Sequence, residues 1–233
     1  MSKTTTVTAE SVKSYRFTLT GITPCLFHSD DVEAGDDLKE WRRSPDNKDS
    51  SVPGDDRSPA WTWQTYLYHD GTHVAVPATN LMKSLCYAGS QMTLKGKTTF
   101  KKLSQSGLLI PSEYLDFRYG PDLDRKLPIA DVLAVRESPF KEQSNWARDR
   151  GFRLFVKRAP VGVGGGKHVR VRARFDSWRI TGVVQPTAPE LTPDIVAKMF
   201  EVAGKQAGLL DWRPASPKSP GAFGMYMAKL EPV

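Results

Sequence analysis

Cysteine is nearly absent from this 233-residue chain: Cys25 and Cys86 stand far apart, and no CxxC spacing occurs. That scarcity favours two buried free thiols over a disulfide and leaves no thiolate framework for a metal. Histidine is scarce too. His28, His69, His73 and His168 are scattered, so a structural zinc site is not expected. No apolar run approaches the roughly 18 residues of a membrane span. The opening MSKTTTVTAESVKS has no apolar core of the kind a secretory address needs. A soluble, cytoplasmic protein without a membrane partner is expected. The motifs HExxH and GxSxG are missing as well, so no catalytic residue, cofactor or metal ligand is assigned from the sequence. VGVGGGKH looks superficially like a phosphate-binding loop, but His168 stands where Ser or Thr is required and an arginine-rich strand follows.

What the chain does have is uneven charge. The net charge is +7 and the sequence pI about 9.4. Acids crowd residues 28–60, from Asp30 and Asp31 to Asp55 and Asp56. Between Arg148 and Arg179, ten Lys or Arg face only Asp149 and Asp176. A basic stretch set apart from an acidic one points to a polyanionic partner.

Periodicity suggests one domain over residues 1–233, mixing strands and helices. Tyr15, Phe17 and Leu19 alternate as a strand that breaks at Gly21 and Pro24. Residues 28–60 read as a flexible acidic insertion with a short helix near 37–43. WTWQTYLY reads as a strand whose Trp61, Trp63, Tyr66 and Tyr68 form either a stacking stripe or core. A helix is expected from Thr79 or Asn80, its apolar face carrying Leu81, Leu85 and Ala88. KGKTTFKK reads as a basic loop with Lys95, Lys97, Lys101 and Lys102. Leu127 to Val135 reads as a strand. Thr192-Pro193-Asp194 starts the last helix, and a glycine-rich loop precedes a closing strand.

The strongest feature is a hairpin within residues 141–179, FRLFVKR and KHVRVRARF joined by APVGVGGG. Arg170, Arg172 and Arg174 recur at period two and share one strand face, while Val169, Val171, Ala173 and Phe175 point the other way. Guanidinium groups pair with phosphate and stack on bases, so a row of three suits a nucleic-acid backbone. Arg153, Lys157 and Arg158 extend the patch on the facing strand, and Lys167 and His168 extend it near the tip. Trp212 and Arg213 form a second stacking candidate. His168 or His28 is available as a general base if the protein is instead a metal-independent ribonuclease.

Three stretches in order, LTGITPCLF, VAVPATNLMKSLCYAG and AGKQAGLLDWRP…GAFGMYMAKL, resemble the RAMP superfamily, and within it the Cas seven-like subunits that bind CRISPR guide RNA. The resemblance implies a ferredoxin-like, RRM-like α+β fold: an antiparallel sheet with helices on one face, a long β-hairpin thumb and a loop insertion. It implies binding of single-stranded guide RNA, contact with a complementary target nucleic acid, and copies of the chain assembled along the RNA. Lys83 matches the basic residue that opens the first helix of that family. The sequence departs from its pattern in Lys83-Ser84, where a glycine follows the basic residue, and at Leu209, Leu210 and Asp211, where glycines are frequent. Two other readings stay open: a RAMP-type endoribonuclease, and a phage single-strand DNA-binding or annealing protein.

Overall fold

The structure, a computed structural model, describes residues 13–161, 166–217 and 220–233. Half of the glycine-rich hairpin tip (residues 162–165) therefore lies outside the described residues.

Strand β1 (Tyr15–Gly21) buries Tyr15, Phe17 and Leu19 and turns Arg16 to solvent, as alternation requires. A bend leads to β2 (Cys25–Leu26) and then α1 (Val32–Arg43), whose N-cap Asp31 accepts from the Glu33 and Ala34 N–H groups. Helix α1 buries none of its residues. The chain next makes a 3-10 turn over Ala60–Tyr66, then β3 (Val76–Pro77) and α2 (Ala78–Gln91). A small hairpin of β4 (Thr93–Lys95) and β5 (Thr98–Thr99) precedes α3 (Lys101–Ser106) and β6 (Leu108–Leu109). Strand β7 (Tyr114–Tyr119) is followed by α4 (Ile129–Leu133) and α5 (Phe140–Asp149). The long hairpin is β8 (Arg153–Val161) and β9 (Gly166–Phe175), and it runs directly into β10 (Trp178–Pro186). Helix α6 (Pro193–Val202), an irregular last turn and β11 (Tyr226–Pro232) close the chain.

The main sheet has the order β11-β1-β10-β7-β3 and is antiparallel throughout. Reduced to β1-α2-β7-β10-α6-β11, it is a ferredoxin-like βαββαβ unit with strand order 4-1-3-2. Helices α2 and α6 cover one face: Leu81, Leu85 and Ala88 of α2 and Val196, Met199 and Phe200 of α6 are buried, and the Phe17 and Phe200 rings meet at 5.5 Å. The cap expected for α6 forms, with the Thr192 hydroxyl accepting from the Ile195 N–H at 3.5 Å. Neither Thr79 nor Asn80 caps α2; Pro77 occupies that position and no side chain bonds the first turn. Among the described residues, no helix is long and apolar enough to cross a membrane.

The hairpin grows out of the middle of this sheet. Strands β1 and β10 pair in the main sheet, and their continuations β2 and β9 pair in a second, three-stranded sheet ordered β2-β9-β8. The two central strands thus change sheets together. The Trp178 indole N–H, donating to the Thr23 carbonyl at 2.8 Å, fixes that corner.

Two expected strands are helical turns. Over residues 61–66 the buried residues are Trp61, Thr62, Trp63 and Gln64, a continuous run; the Thr62 hydroxyl donates to the Pro59 carbonyl, and Trp63 Nε1 donates to Gln143 Oε1 at 2.6 Å. The two tryptophans are core, not a stacking stripe. Over 127–135, Pro128 starts a short helix that buries Val132. Lys95 belongs to β4, and Lys101 and Lys102 to the start of α3, rather than to one loop. Cys25 is buried and Cys86 half-buried, both as free thiols; burial pushes the Cys25 thiol up.

Candidate nucleic-acid interface

Strand register decides what the hairpin shows. Arg153 lies opposite Arg174, Phe155 opposite Arg172 and Lys157 opposite Arg170, so one face carries four arginines, a lysine and a phenylalanine. The shared face expected for Arg170, Arg172 and Arg174 is there, but it does not stand free. Acids from distant segments meet it. Asp56, 2% exposed, accepts from Arg170 at 3.0 Å, Arg172 at 3.2 Å and the Val171 N–H at 3.1 Å. Arg172, 5% exposed, also reaches Asp211 at 3.0 Å and lies over the Tyr66 ring at 4.2 Å. Asp176 takes both Arg153, at 2.5 Å, and Arg174, at 2.7 Å.

Asp56 reaches the hairpin because its own backbone is bound there. The Asp56 N–H donates to the Val169 carbonyl at 2.9 Å, and the Val169 N–H donates to the Gly54 carbonyl at 2.8 Å. The end of the acidic insertion is thereby a strap laid along β9, beside a helix, instead of a free loop. His168 packs under the same strap: a Cβ on Gly54 would come within 2.7 Å of its ring. Arg172 and His168 are accordingly root-packing groups, and Arg158 points to the other face, opposite Val169.

The second wall of the site is the loop between α6 and β11. Asp211 N–H donates to the Leu26 carbonyl and Gly224 N–H to the Pro24 carbonyl, which docks this loop on the bend between β1 and β2. Leu210 and Trp212 hold φ angles of 64° and 47°. Non-glycine residues pay a steric penalty in that left-handed region, and such strain gathers where side chains must be aimed. Leu210 stands where the sequence lacks an expected glycine. The outcome is that Trp212 and Phe223 meet Phe155 of the hairpin, with ring centroids 5.8 to 6.4 Å apart. All three rings are half-buried. Lys157 sits 4.6 Å over Trp212, and Arg174 lies 5.7 Å and 5.8 Å from the Phe155 and Phe223 rings. Arg213 is beside them, donating to the Leu210 carbonyl.

A polar corner adjoins this platform. His28 Nδ1 is 3.6 Å from Asp211 Oδ2, and its ring stands edge-on to Tyr66 at 4.9 Å. Burial, and next the Arg172 charge, lower the His28 pKa, so the ring is neutral at pH 7. The Tyr68 hydroxyl donates to the His28 carbonyl at 2.9 Å and lies within hydrogen-bond reach of Asn80. Asn80 and the exposed Lys83 are three apart on α2 and share a face, which brings Lys83 towards this corner. Lys95, Lys97, Lys101 and Lys102 are exposed at the opposite end of α2, about 20 Å along its axis, and are not part of the same patch.

Among the described residues, Lys83, Lys157, Arg158 and Lys167 form no ion pair with an acid, unlike the arginine row. Phe155 and Phe223 are site residues that the sequence reading did not single out, and it gave Asp56, Asp211 and Tyr66 no part in the arginine site. For Phe155 a signal existed: it shares the period-two face of Arg153 and Lys157.

No model of a known protein family matches the chain, and no curated protein matches it in sequence.

Proposed function

We propose that this chain binds single-stranded nucleic acid, RNA in particular, in the angle between the β8–β9 hairpin and the loop preceding β11. The observation that carries this reading is the half-buried Phe155–Trp212–Phe223 platform with Lys157 and Arg174 on its rings. Aromatic faces interleaved with cations take unpaired bases and their phosphates without demanding a sequence. Lys83, Lys157, Lys167 and Arg213 supply phosphate contacts, and the paired arginines hold the platform in place. The ferredoxin-like strand order and the sequence resemblance support a guide-RNA-binding subunit whose copies line up along the RNA, with a complementary target strand as a further partner. The deciding experiment compares labelled RNA and DNA single strands of one sequence, at two salt concentrations, with recovery of any RNA that co-purifies. Salt-sensitive binding with RNA preferred supports the reading. Preference for DNA favours the annealing-protein alternative, and a nucleic-acid-free protein that ignores both strands ends it.

His28 supports a second reading, a metal-independent endoribonuclease. A neutral imidazole beside Asp211 and reaching solvent is placed to take a 2′-hydroxyl proton as that oxygen attacks phosphorus and the 5′-oxygen leaves with a proton from solvent. Cleavage in EDTA that disappears in His28→Ala supports it; RNA left intact by the wild-type protein ends it.

A further inference from the structure

A separate cleft of about 320 Å³ opens behind the hairpin root, between the 120–128 loop and the end of α5. Tyr119, Arg125, Lys126, Asp131, Asp149 and Arg150 line it, over a floor of Leu127 and Pro128. Lys126 is taken by Asp116, and Arg150 is 3.9 Å from Asp131 while its guanidinium lies over Trp146 at 4.3 Å. Arg125 is different. Among the described residues it pairs with no carboxylate; its guanidinium donates to the Arg150 carbonyl at 3.4 Å.

The backbone is shaped around this unneutralised guanidinium. Arg125 and Tyr119 exchange two backbone hydrogen bonds, at 3.1 and 3.2 Å, which pins the start of the side chain. Its stem crosses Gly120 and its tip lies on Gly151, two residues with φ of +94° and +86°. A Cβ at Gly120 would come 3.1 Å from Arg125 Cδ, and one at Gly151 would come 2.9 Å from Nη1. Two left-handed turns that only glycine takes cheaply thus leave room for one exposed cation. The Tyr119 hydroxyl feels the charges of Arg125, Arg150 and Asp131. Burial keeps it a protonated donor at neutral pH.

We propose that this cleft is an oxyanion site that takes a phosphate group, held by Arg125 and Arg150 with the Tyr119 hydroxyl as third donor. Guanidinium forks match phosphate oxygens in pairs; Asp131 and Asp149 also line the cleft and Asp131 faces Arg150, so the anion would sit against Arg125. The phosphate is either a free ion or the terminal phosphate of an oligonucleotide. Gly151 is four residues before Phe155, an extended span of about 13 Å, so a strand on the platform has an end within range of the cleft. The site does not depend on the RNA-binding reading.

The test titrates inorganic phosphate calorimetrically into wild-type protein, Arg125→Gln and Tyr119→Phe, in buffer free of sulfate. Oligonucleotides with and without a terminal phosphate are then compared on the same proteins. Arg125 is exposed, and Tyr119→Phe keeps the ring in its core, so a thermal melt close to wild type is expected for both. Stoichiometric phosphate binding that Arg125→Gln weakens about tenfold or more, and Tyr119→Phe by several-fold, supports the site. Should Arg125→Gln fail to fold, the Tyr119→Phe result decides. A terminal phosphate that raises oligonucleotide affinity in wild type alone identifies the nucleic-acid end as the source. Equal oligonucleotide affinities with phosphate binding intact identify the free ion. Phosphate binding without any oligonucleotide binding keeps the cleft and discards the platform reading. No phosphate binding by wild-type protein, or binding unchanged in both variants, overturns the proposal.

Discussion

Removing the carboxylate of Asp56 tests whether the strap holds the hairpin root. In Asp56→Ala, three donors lose their acceptor: the Val171 N–H and the guanidinium groups of Arg170 and Arg172. Arg170 is about a third exposed and recovers water at little cost. Arg172 is 5% exposed and cannot, although it keeps Asp211 at 3.0 Å and the Val171 carbonyl at 2.9 Å. Breaking a buried ion pair costs roughly 3–5 kcal/mol, and the surviving Asp211 contact places this case at the low end, about 3 kcal/mol with the orphaned amide included. For a chain of this length each kcal/mol moves the melting midpoint by about 2–4 °C, so a fall of about 6–12 °C is expected by circular dichroism. Asp56→Asn should do little better, because its amide N–H would face the arginines. Asp49→Ala, an exposed acid of the same segment, should stay within about 0.5 kcal/mol of wild type. A midpoint less than 2 °C below wild type in Asp56→Ala would refute the idea that the root depends on this carboxylate.

Trp212→Ala and Phe223→Ala should each weaken single-stranded RNA binding by about 1–3 kcal/mol, read by fluorescence anisotropy; a loss below twofold in both denies the platform. Lys157→Gln should reduce the slope of log affinity against log salt by about 0.7, as one phosphate contact on a single strand does. Arg172→Gln should lower the melting midpoint and leave that slope unchanged, since its charge is spent inside the protein. Burial and Arg172 depress the His28 pKa, so below about pH 6.5 the unfolded chain binds a proton that the folded one refuses. Stability therefore rises with pH through that window and is lost on acidification from pH 7 towards 5. Denaturant titrations should show that dependence flattened in His28→Gln, and an unaltered profile would remove His28 as its source.

The sheet was legible where one face is buried and the other wet. Tyr15, Phe17 and Leu19 alternate with polar residues, and Thr192-Pro193-Asp194 announces α6, because these signals are local. The 61–68 run misled for a physical reason. Aromatics at 61, 63, 66 and 68 mimic strand alternation, but Trp61 to Gln64 are buried without a break, and period two means nothing without an alternating wet face. The arginine face of β9 was readable from spacing alone. Its neutralisation was not, because Asp56 and Asp211 lie 116 and 39 residues from Arg172 and meet it only once the strap and the final loop have docked. The same holds for the platform, whose three rings come from two segments that share no sequence pattern.

Among the described residues, the strap's backbone hydrogen bonds reach β9 as far as Val169, while β2 grips Phe175 and Arg174. The hairpin is therefore anchored over its lower half, and the reach beyond that anchor is an independent variable. Inserting two residues into each strand beyond Arg158 and Val169 would keep every side chain on its present face and carry the tip about 7 Å farther out. Span can thus be altered without disturbing grip.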